Sequence, residues 1–147
     1  MGRTFVPMGT PELRDVTIAT LRRIRPDHLE VVYKPGCVLS TSGLREVAEV
    51  RRELMHGSPY GMLSIIPEDA DFETSAMHVD HLSADREKGT LLAIALVTRA
   101  NMIELMLKLY FSYYPWLDRI FVTDNEAQAR TWLEKQLAEV AAGGGER

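Results

Sequence analysis

The longest apolar run of the chain is residues 91–97, Leu-Leu-Ala-Ile-Ala-Leu-Val, and Thr98 extends the predicted strand by one residue. Lys88 and Gly89 precede the run, and Arg99 follows it. The run is far shorter than the roughly 20 residues that a transmembrane helix needs, so we expect no membrane span. A short, uninterrupted apolar run is typical of a strand that is covered on both faces, and we place this strand at the centre of a sheet.

An antiparallel hairpin is predicted near the start of the chain. Residues 16–24 and 29–34 are β-branched or apolar in alternation, and Arg25-Pro26-Asp27-His28 between them is a turn sequence. Two further strands are predicted at residues 62–66 and 120–122, the first of them closed by Pro67.

Helices are predicted between these strands. After Ser40-Thr41-Ser42, which can cap a helix, apolar residues recur at helical spacing until His56-Gly57: Leu44, Val47, Ala48, Leu54 and Met55. A weaker helix is predicted over residues 73–83, and a third begins at Asn101. The last helix follows Thr123-Asp124-Asn125-Glu126, which has the Thr-x-x-Glu spacing of a capping box.

The predicted element order is ββαβαβαβα, which indicates an α/β domain with a mixed, largely parallel sheet led by an antiparallel hairpin. Of the 147 residues, we assign 15–140 to one domain. Residues 1–14, with two glycines and two prolines, are predicted to be a flexible arm, and residues 141–147 a flexible tail.

Charge and cysteine content limit the class of protein. A formal net charge of -4, with scattered basic residues, argues against nucleic acid as a partner, because neutralising phosphates needs a concentrated basic surface. The single cysteine, Cys37, cannot form an internal disulfide, and no secretory signal is recognisable at the N-terminus. We therefore expect a cytoplasmic protein.

The segment 101–114 is apolar on nearly every side of its predicted helix, with only Glu104, Lys108 and Ser112 as a narrow polar stripe. A helix of this kind must be covered on more than one side, and a sheet covers only one. The remaining surface is covered by the arm and last helix, by a second subunit in a homodimer, or by an apolar ligand. The predicted interface or ligand surface is Met102, Leu105, Met106, Leu109, Tyr110 and Tyr113.

Two stretches carry a resemblance to a known family. One is residues 92–97 with the long apolar helix behind them, and the other is Tyr114-Pro115-Trp116-Leu117-Asp118-Arg119-Ile120-Phe121-Val122-Thr123-Asp124-Asn125-Glu126 with Trp132 and Leu133 following. Together with the element order, they resemble the SpoIIAA-like family of small bacterial proteins, also described as STAS-like or STAS/SEC14-like. The resemblance spans roughly residues 16–138 and implies a SpoIIAA-like fold with a regulatory, non-enzymatic function.

The resemblance also implies a position for a phosphorylation switch. In the better-known anti-sigma-factor antagonists of this fold, a serine in an Asp-Ser-Ser-Gly segment opens a helix and is phosphorylated. The nearest match is Glu73-Thr74-Ser75-Ala76, which keeps a carboxylate and two hydroxyls but lacks the aspartate and the glycine. Thr74 and Ser75 are therefore the candidate positions, and the alternative is that either hydroxyl only caps the helix.

Signals for metal binding and catalysis are weak. His78 and His81 would lie three residues apart on one helical face, a spacing that can share a metal, but no known ligand pattern accompanies them, so we predict no metal and no cofactor. There is no Gly-x-Ser-x-Gly segment, and Cys37 has no neighbouring histidine, so we assign no catalytic residue.

Three hypotheses follow. The first is a non-enzymatic regulatory or protein-interaction module that forms a homodimer through the 101–114 helix. The second is a small carrier or sensor that binds an apolar or anionic molecule between that helix and the sheet. The third is an enzyme that uses the acidic loop Glu68-Asp69-Ala70-Asp71 with His78 or His81, which requires these groups to converge on a pocket.

Overall fold

The computed structural model describes residues 12–115 and 117–144, and its largest element is a six-stranded sheet. The strands lie in the order β1 (Glu12–Asp15), β2 (Ala19–Arg25), β3 (His28–Tyr33), β5 (Tyr60–Ile65), β7 (Leu91–Val97) and β8 (Ile120–Thr123). Neighbours from β1 to β3 are antiparallel, and neighbours from β3 to β8 are parallel. A separate pair of short parallel strands consists of β4 (Val38–Leu39) and β6 (Asp71–Phe72). The predicted mixed α/β sheet is confirmed.

The helices of the described residues are α1 (Thr41–Met55), a 3-10 helix (Thr74–His78), α2 (Ser83–Lys88), α3 (Asn101–Tyr113) and α4 (Glu126–Gly144). Apart from β1 and the short strands, this is the predicted order ββαβαβαβα. α4 packs on one face of the sheet, against β5, β7 and β8, and the other helices pack on the opposite face. Within the described ranges, no helix is both long enough and apolar enough to cross a bilayer.

Helix α1 begins and ends where the sequence indicates. The Ser40 side chain accepts a hydrogen bond from the Gly43 N–H at 3.0 Å, and His56 takes up the left-handed conformation at the other end, with φ of 54°. Both features satisfy backbone groups that a helix end leaves without partners. The local sequence is sufficient to position this helix.

Helix α4 lies directly on the backbone of β5 at Gly61. A Cβ atom at this position would be 2.9 Å from side-chain atoms of both Leu133 and Leu137. β7 also supports this contact with Ala93 and Ala95, which are fully buried. Small residues on the sheet therefore let the apolar face of α4 approach closely.

The strand β7 is covered on both faces, as predicted, but it is not at the centre of the sheet. The central pair is β3 and β5, and β7 lies between β5 and the edge strand β8. Burial on both faces depends on the helices above and below the strand, so it does not by itself indicate a central position.

The prediction of one continuous helix over residues 73–83 is wrong. β6, the 3-10 helix and α2 divide this part of the chain. The chain is extended at Val79, which separates the 3-10 helix from α2. Before this segment β6 pairs with β4, and the Asp71 N–H donates to the Cys37 carbonyl and the Glu73 N–H to the Leu39 carbonyl. These contacts hold the backbone extended just before the place where a longer helix would have begun.

The capping box predicted from Thr123 to Glu126 is also wrong. Thr123 is the last residue of β8, and the Asn125 side chain accepts the hydrogen bond from the Gln128 N–H at 3.0 Å. Thr123 instead accepts from the Asn125 N–H at 3.1 Å. Pairing with β7 keeps Thr123 in the sheet, and the cap lies two residues later, at Asn125.

The boundaries predicted for the arm and the tail differ from the structure where it describes them. Residues 12–14, assigned to the arm, belong to β1, which pairs with β2. Residues 141–144, assigned to the tail, continue α4. Residues 1–11 and 145–147 lie outside the described residues.

Candidate functional site

A cavity of about 120 Å³ lies between α3, α1 and the sheet. Its floor consists of side chains on alternate positions of β5 and β7, namely Met62, Ser64, Ile94 and Leu96. Because successive strand residues point to opposite faces, the residues between them pack against α4 instead. Strand periodicity therefore determines which side chains of the sheet reach the cavity.

Helix α3 closes the cavity from above with one of its faces. Ile103, Met106, Leu107, Tyr110 and Phe111 line the cavity, and their spacing of three and four residues is that of one helix face. On the other side of the cavity, α1 contributes Leu44, Val47 and Arg51. Most of this lining is apolar, so the cavity suits an apolar occupant.

The opposite face of α3 is exposed. Met102, Leu105, Leu109 and Tyr113 expose 61%, 60%, 42% and 52% of their surface. Of the six residues predicted as an interface or ligand surface, these four face outward, whereas Met106 and Tyr110 line the cavity. α4 lies across the sheet and does not cover α3, and the arm residues 1–11 lie outside the described residues.

A buried polar network stands beside the cavity. Arg51 donates from Nη2 to Asp85 Oδ2 at 2.7 Å and from Nε to the Tyr60 hydroxyl at 3.0 Å. Asp85 Oδ1 accepts from Tyr60 at 2.8 Å and from the Thr90 hydroxyl at 2.9 Å. Every member therefore has a partner, which a buried ion pair requires if it is to remain charged.

The ionisation of this network follows from its surroundings. Burial acts to raise the pKa of Asp85, but the charge and hydrogen bonds of Arg51, together with Tyr60 and Thr90, outweigh it and lower that pKa. Burial raises the pKa of Tyr60 to about 12. At neutral pH, Asp85 is an anion beside the Arg51 cation, and Tyr60 keeps its proton.

Two hydroxyl groups line the cavity outside this network. They are Tyr33 on β3 and Ser64 on the adjacent strand β5. Val31 pairs with Ser64, and Tyr33, two residues after Val31, lies on the same face of the sheet. Burial raises the pKa of Tyr33 to about 12, so its hydroxyl is protonated. Among the described residues, neither hydroxyl makes a hydrogen bond, in contrast to Tyr60.

His81 lies at the rim of the cavity and is held by backbone contacts. Its Nε2 is 2.9 Å from the Ala76 carbonyl, and its ring stacks on Tyr110 with 6.0 Å between the centroids. The Tyr110 hydroxyl accepts from the His81 N–H at 2.9 Å and donates to the Val79 carbonyl at 2.8 Å. Tyr110 therefore ties α3 to the segment that follows the 3-10 helix.

The predicted geometry of the histidine pair is wrong, because the chain is extended at Val79 and no helical face joins His78 to His81. His78 is exposed, and burial lowers the pKa of His81. Among the described residues, no group of three or more His, Cys, Asp or Glu side chains is arranged to hold a metal ion.

The candidate phosphorylation positions are exposed. Thr74 and Ser75 open the 3-10 helix, and neither caps it through its side chain. The Ser75 hydroxyl lies 3.5 Å from the Thr41 hydroxyl at the start of α1. The structure therefore leaves both hydroxyls accessible, and phosphorylation there stays a prediction.

The sequence analysis missed Tyr33, Arg51, Tyr60, Ser64 and Asp85. A signal existed for Arg51, because it follows Val47 by four residues and precedes Leu54 by three, which places it on the buried face of α1. For Tyr60 and Asp85 no local signal exists, because their partners are distant in the sequence.

Comparisons with known proteins give limited information. No family model matches the chain, and no curated protein matches it. Among solved structures, the chain is similar to an uncharacterized protein of the DUF3478 family from Shewanella loihica PV-4, which has a SpoIIAA-like fold. The match has 14% identity and a TM-score of 0.49, and it covers 90% of this chain and 99% of the other. The fold named for that structure is the one that the sequence resemblance implies.

Proposed function

We propose that the protein is a non-enzymatic carrier or sensor that binds a small apolar molecule in the cavity between α3 and the sheet. The observation that carries this proposal is the cavity of about 120 Å³ with its largely apolar lining. Residues of β3, β5, β7, α1, α3 and the 3-10 helix are among those that surround this space. The function then consists in binding, with no residue assigned to a chemical step.

The size of the cavity supports an occupant rather than a packing defect. Side chains that line unfilled space lack contacts on that side, and in enclosed cores such space destabilises by about 24 cal/mol per Å³. An engineered apolar cavity of about 150 Å³ in another protein binds benzene. A ligand of about that size would recover the lost contacts and would stabilise the fold.

Benzene is a suitable first probe because it tests the cavity without assuming a polar group. We expect benzene to raise the melting temperature and to shift the NMR signals of residues that line the cavity, such as Leu96 and Ile103. The substitution Ala76→Leu places a larger side chain in the lining and should abolish both responses. Ala138→Leu makes the same change on the exposed side of α4 and should leave both responses intact.

Any of three results would count against the proposal. Benzene could leave the melting temperature of the wild-type protein unchanged, or the shifted signals could map to the exposed residues Met102 and Leu105. A response that survives in Ala76→Leu would also place the binding elsewhere.

A second candidate function is protein interaction through the exposed face of α3, with a homodimer as the first case. It is favoured by the stripe Met102, Leu105, Leu109 and Tyr113, because contiguous exposed apolar side chains mark contact surfaces. In a two-fold dimer the same stripe would face its copy. The two candidates are compatible, since α3 separates the cavity from this stripe and a bound ligand could alter the position of the helix.

A further inference from the structure

We infer that the ligand of this cavity carries one uncharged hydrogen-bonding group, which the polar groups of Tyr33, Ser64 and Arg51 recognise. This inference rests on the proposed function and specifies the class of ligand. It depends on three features: hydroxyls that lack partners, a guanidinium nitrogen that is free, and a lining without excess positive charge.

The first feature is the pair of hydroxyls. Tyr33 and Ser64 lie diagonally across adjacent strands on the face that forms the floor of the cavity, which places their Cβ atoms roughly 8 Å apart. Among the described residues, neither hydroxyl has a hydrogen-bond partner. The fully buried side-chain atoms without a partner in this part of the chain are Arg23 Nε and the two His28 ring nitrogens, so the two hydroxyls are not fully buried. Both hydroxyls are therefore open to the cavity.

The second feature is Arg51, which also lines the cavity. Its Nε and Nη2 donate to Tyr60, Asp85 and the His81 carbonyl, and no described residue accepts from Nη1. Nη1 can therefore donate to a ligand without disturbing the ion pair. Three polar groups with no described partner therefore line one apolar cavity, where a ligand that supplies an acceptor can pair with them.

The third feature is charge. Asp85 already balances the Arg51 cation across 2.7 Å, and both side chains are about 95% buried, with 5% and 4% exposed. Besides Arg51 and the tyrosines, the ionisable side chains of the lining are His81 and Glu73. Glu73 is exposed and accepts from the Thr41 N–H at 3.2 Å. Burial lowers the pKa of His81, so this group stays neutral. A carboxylate entering the cavity would find no unbalanced cation, and burying it would be unfavourable.

The geometry therefore favours the apolar alternative over the anionic one. The ligand is an apolar molecule with one carbonyl or hydroxyl oxygen, of the size of a substituted benzene ring. The apolar part contacts α3 and the floor, and the oxygen accepts from the hydroxyls or from Arg51 Nη1.

Two isosteric pairs of probes test this inference by calorimetry or NMR titration. Toluene and phenol differ in one hydrogen-bonding group, and benzamide and benzoate differ in charge. We expect benzamide to bind at least about tenfold more tightly than benzoate, since burying an unbalanced charge is unfavourable. The double variant Tyr33→Phe with Ser64→Ala should bind phenol about fivefold more weakly than the wild type, which is the effect of losing one hydrogen bond. Its affinity for toluene should be unchanged.

The variants remove hydroxyls that lack protein partners, so we expect them to remain folded, which circular dichroism checks. The inference is overturned if toluene binds but the double variant and the wild type bind phenol with equal affinity. It is also overturned if benzoate binds as tightly as benzamide. In either case the cavity is simply apolar. If none of the four probes binds, the proposed function fails, and this inference fails with it.

Discussion

Arg51 and Asp85 form a salt bridge of 2.7 Å between Nη2 and Oδ2, although 34 residues separate them in the chain. The pair joins α1 to α2 beside the cavity, and Tyr60 and Thr90 complete its hydrogen bonds. A buried ion pair of this kind is weak evidence for stability, because desolvation offsets its attraction. Removing one partner destabilises the fold strongly, since the other charge stays buried without a counter-charge.

Replacing Asp85 by alanine should therefore destabilise the protein strongly. We expect a loss of about 3–5 kcal/mol in the free energy of unfolding, because Arg51 would be buried without a counter-charge and Tyr60 and Thr90 would lose their acceptor. Urea denaturation at pH 7 measures this quantity.

Glu104→Ala is the matched control for Asp85→Ala, since Glu104 pairs with Lys108 at 2.9 Å on the surface of α3. An exposed pair at this spacing contributes about 0.3–0.5 kcal/mol. If Asp85→Ala were no more destabilising than Glu104→Ala, the buried pair would not be present in solution.

Acid should destabilise the fold through buried histidines. Both ring nitrogens of His28 are buried without hydrogen bonds, and burial lowers the pKa of His28 below 6.5, although Glu134 lies 3.5 Å from Nδ1 and acts to raise it. The unfolded chain therefore binds more protons between the lowered pKa and 6.5. In that window the free energy of unfolding should fall as the pH falls.

The substitution His28→Leu checks the source of this pH dependence. The other groups that act on His28 are Arg25, Glu30 and Asp27, and these stay in place in the variant. Unfolding by urea at pH 7.5 and 5.5 should show a smaller difference in the variant than in the wild type. An unchanged difference would assign the effect to other groups, of which His81 is the first to examine.

Adding a methyl group at Gly61 should loosen the contact between β5 and α4. The new Cβ would lie 2.9 Å from atoms of Leu133 and Leu137, so the side chains must move. We expect Gly61→Ala to destabilise by about 1–3 kcal/mol in thermal denaturation, as overpacking of a core does.

Gly143→Ala is the control for this change, because a Cβ at Gly143 meets nothing within 4 Å. Alanine favours a helix over glycine by up to about 1 kcal/mol, so this variant should be neutral or slightly stabilised. Equal destabilisation by both changes would contradict the close packing at Gly61.

The exposed stripe of α3 predicts self-association. Sedimentation equilibrium of the wild-type protein should show a dimer whose fraction rises with concentration, and Leu105→Ser should shift the equilibrium toward the monomer. Lys108→Ser, on the polar stripe of the same helix, should leave it unchanged. A wild-type protein that stays monomeric at all concentrations would refute the homodimer.

Local patterns were sufficient for part of the fold and part of the site. The strands β2, β3, β5, β7 and β8 and the helices α1, α3 and α4 were all predicted, β7 from its uninterrupted apolar run and α1 from its helical spacing and the cap at Ser40. The segment 73–83 was misassigned because the chain is extended at Val79, between the 3-10 helix and α2, and no local pattern indicates this break. Likewise, α3 was recognised as apolar on nearly all sides, but only packing shows which side is covered.

The sequence by itself determined the alternation of strands and helices, the antiparallel hairpin and the apolar character of α3, because periodicity and helix caps act over a few neighbouring residues. Only the tertiary structure decided that Met106 and Tyr110 line a cavity while Leu105 and Leu109 face outward. It also decided that Arg51 meets Asp85. Contacts of this kind depend on how separate elements pack, and burial and charge balance are properties of that packing rather than of any one segment.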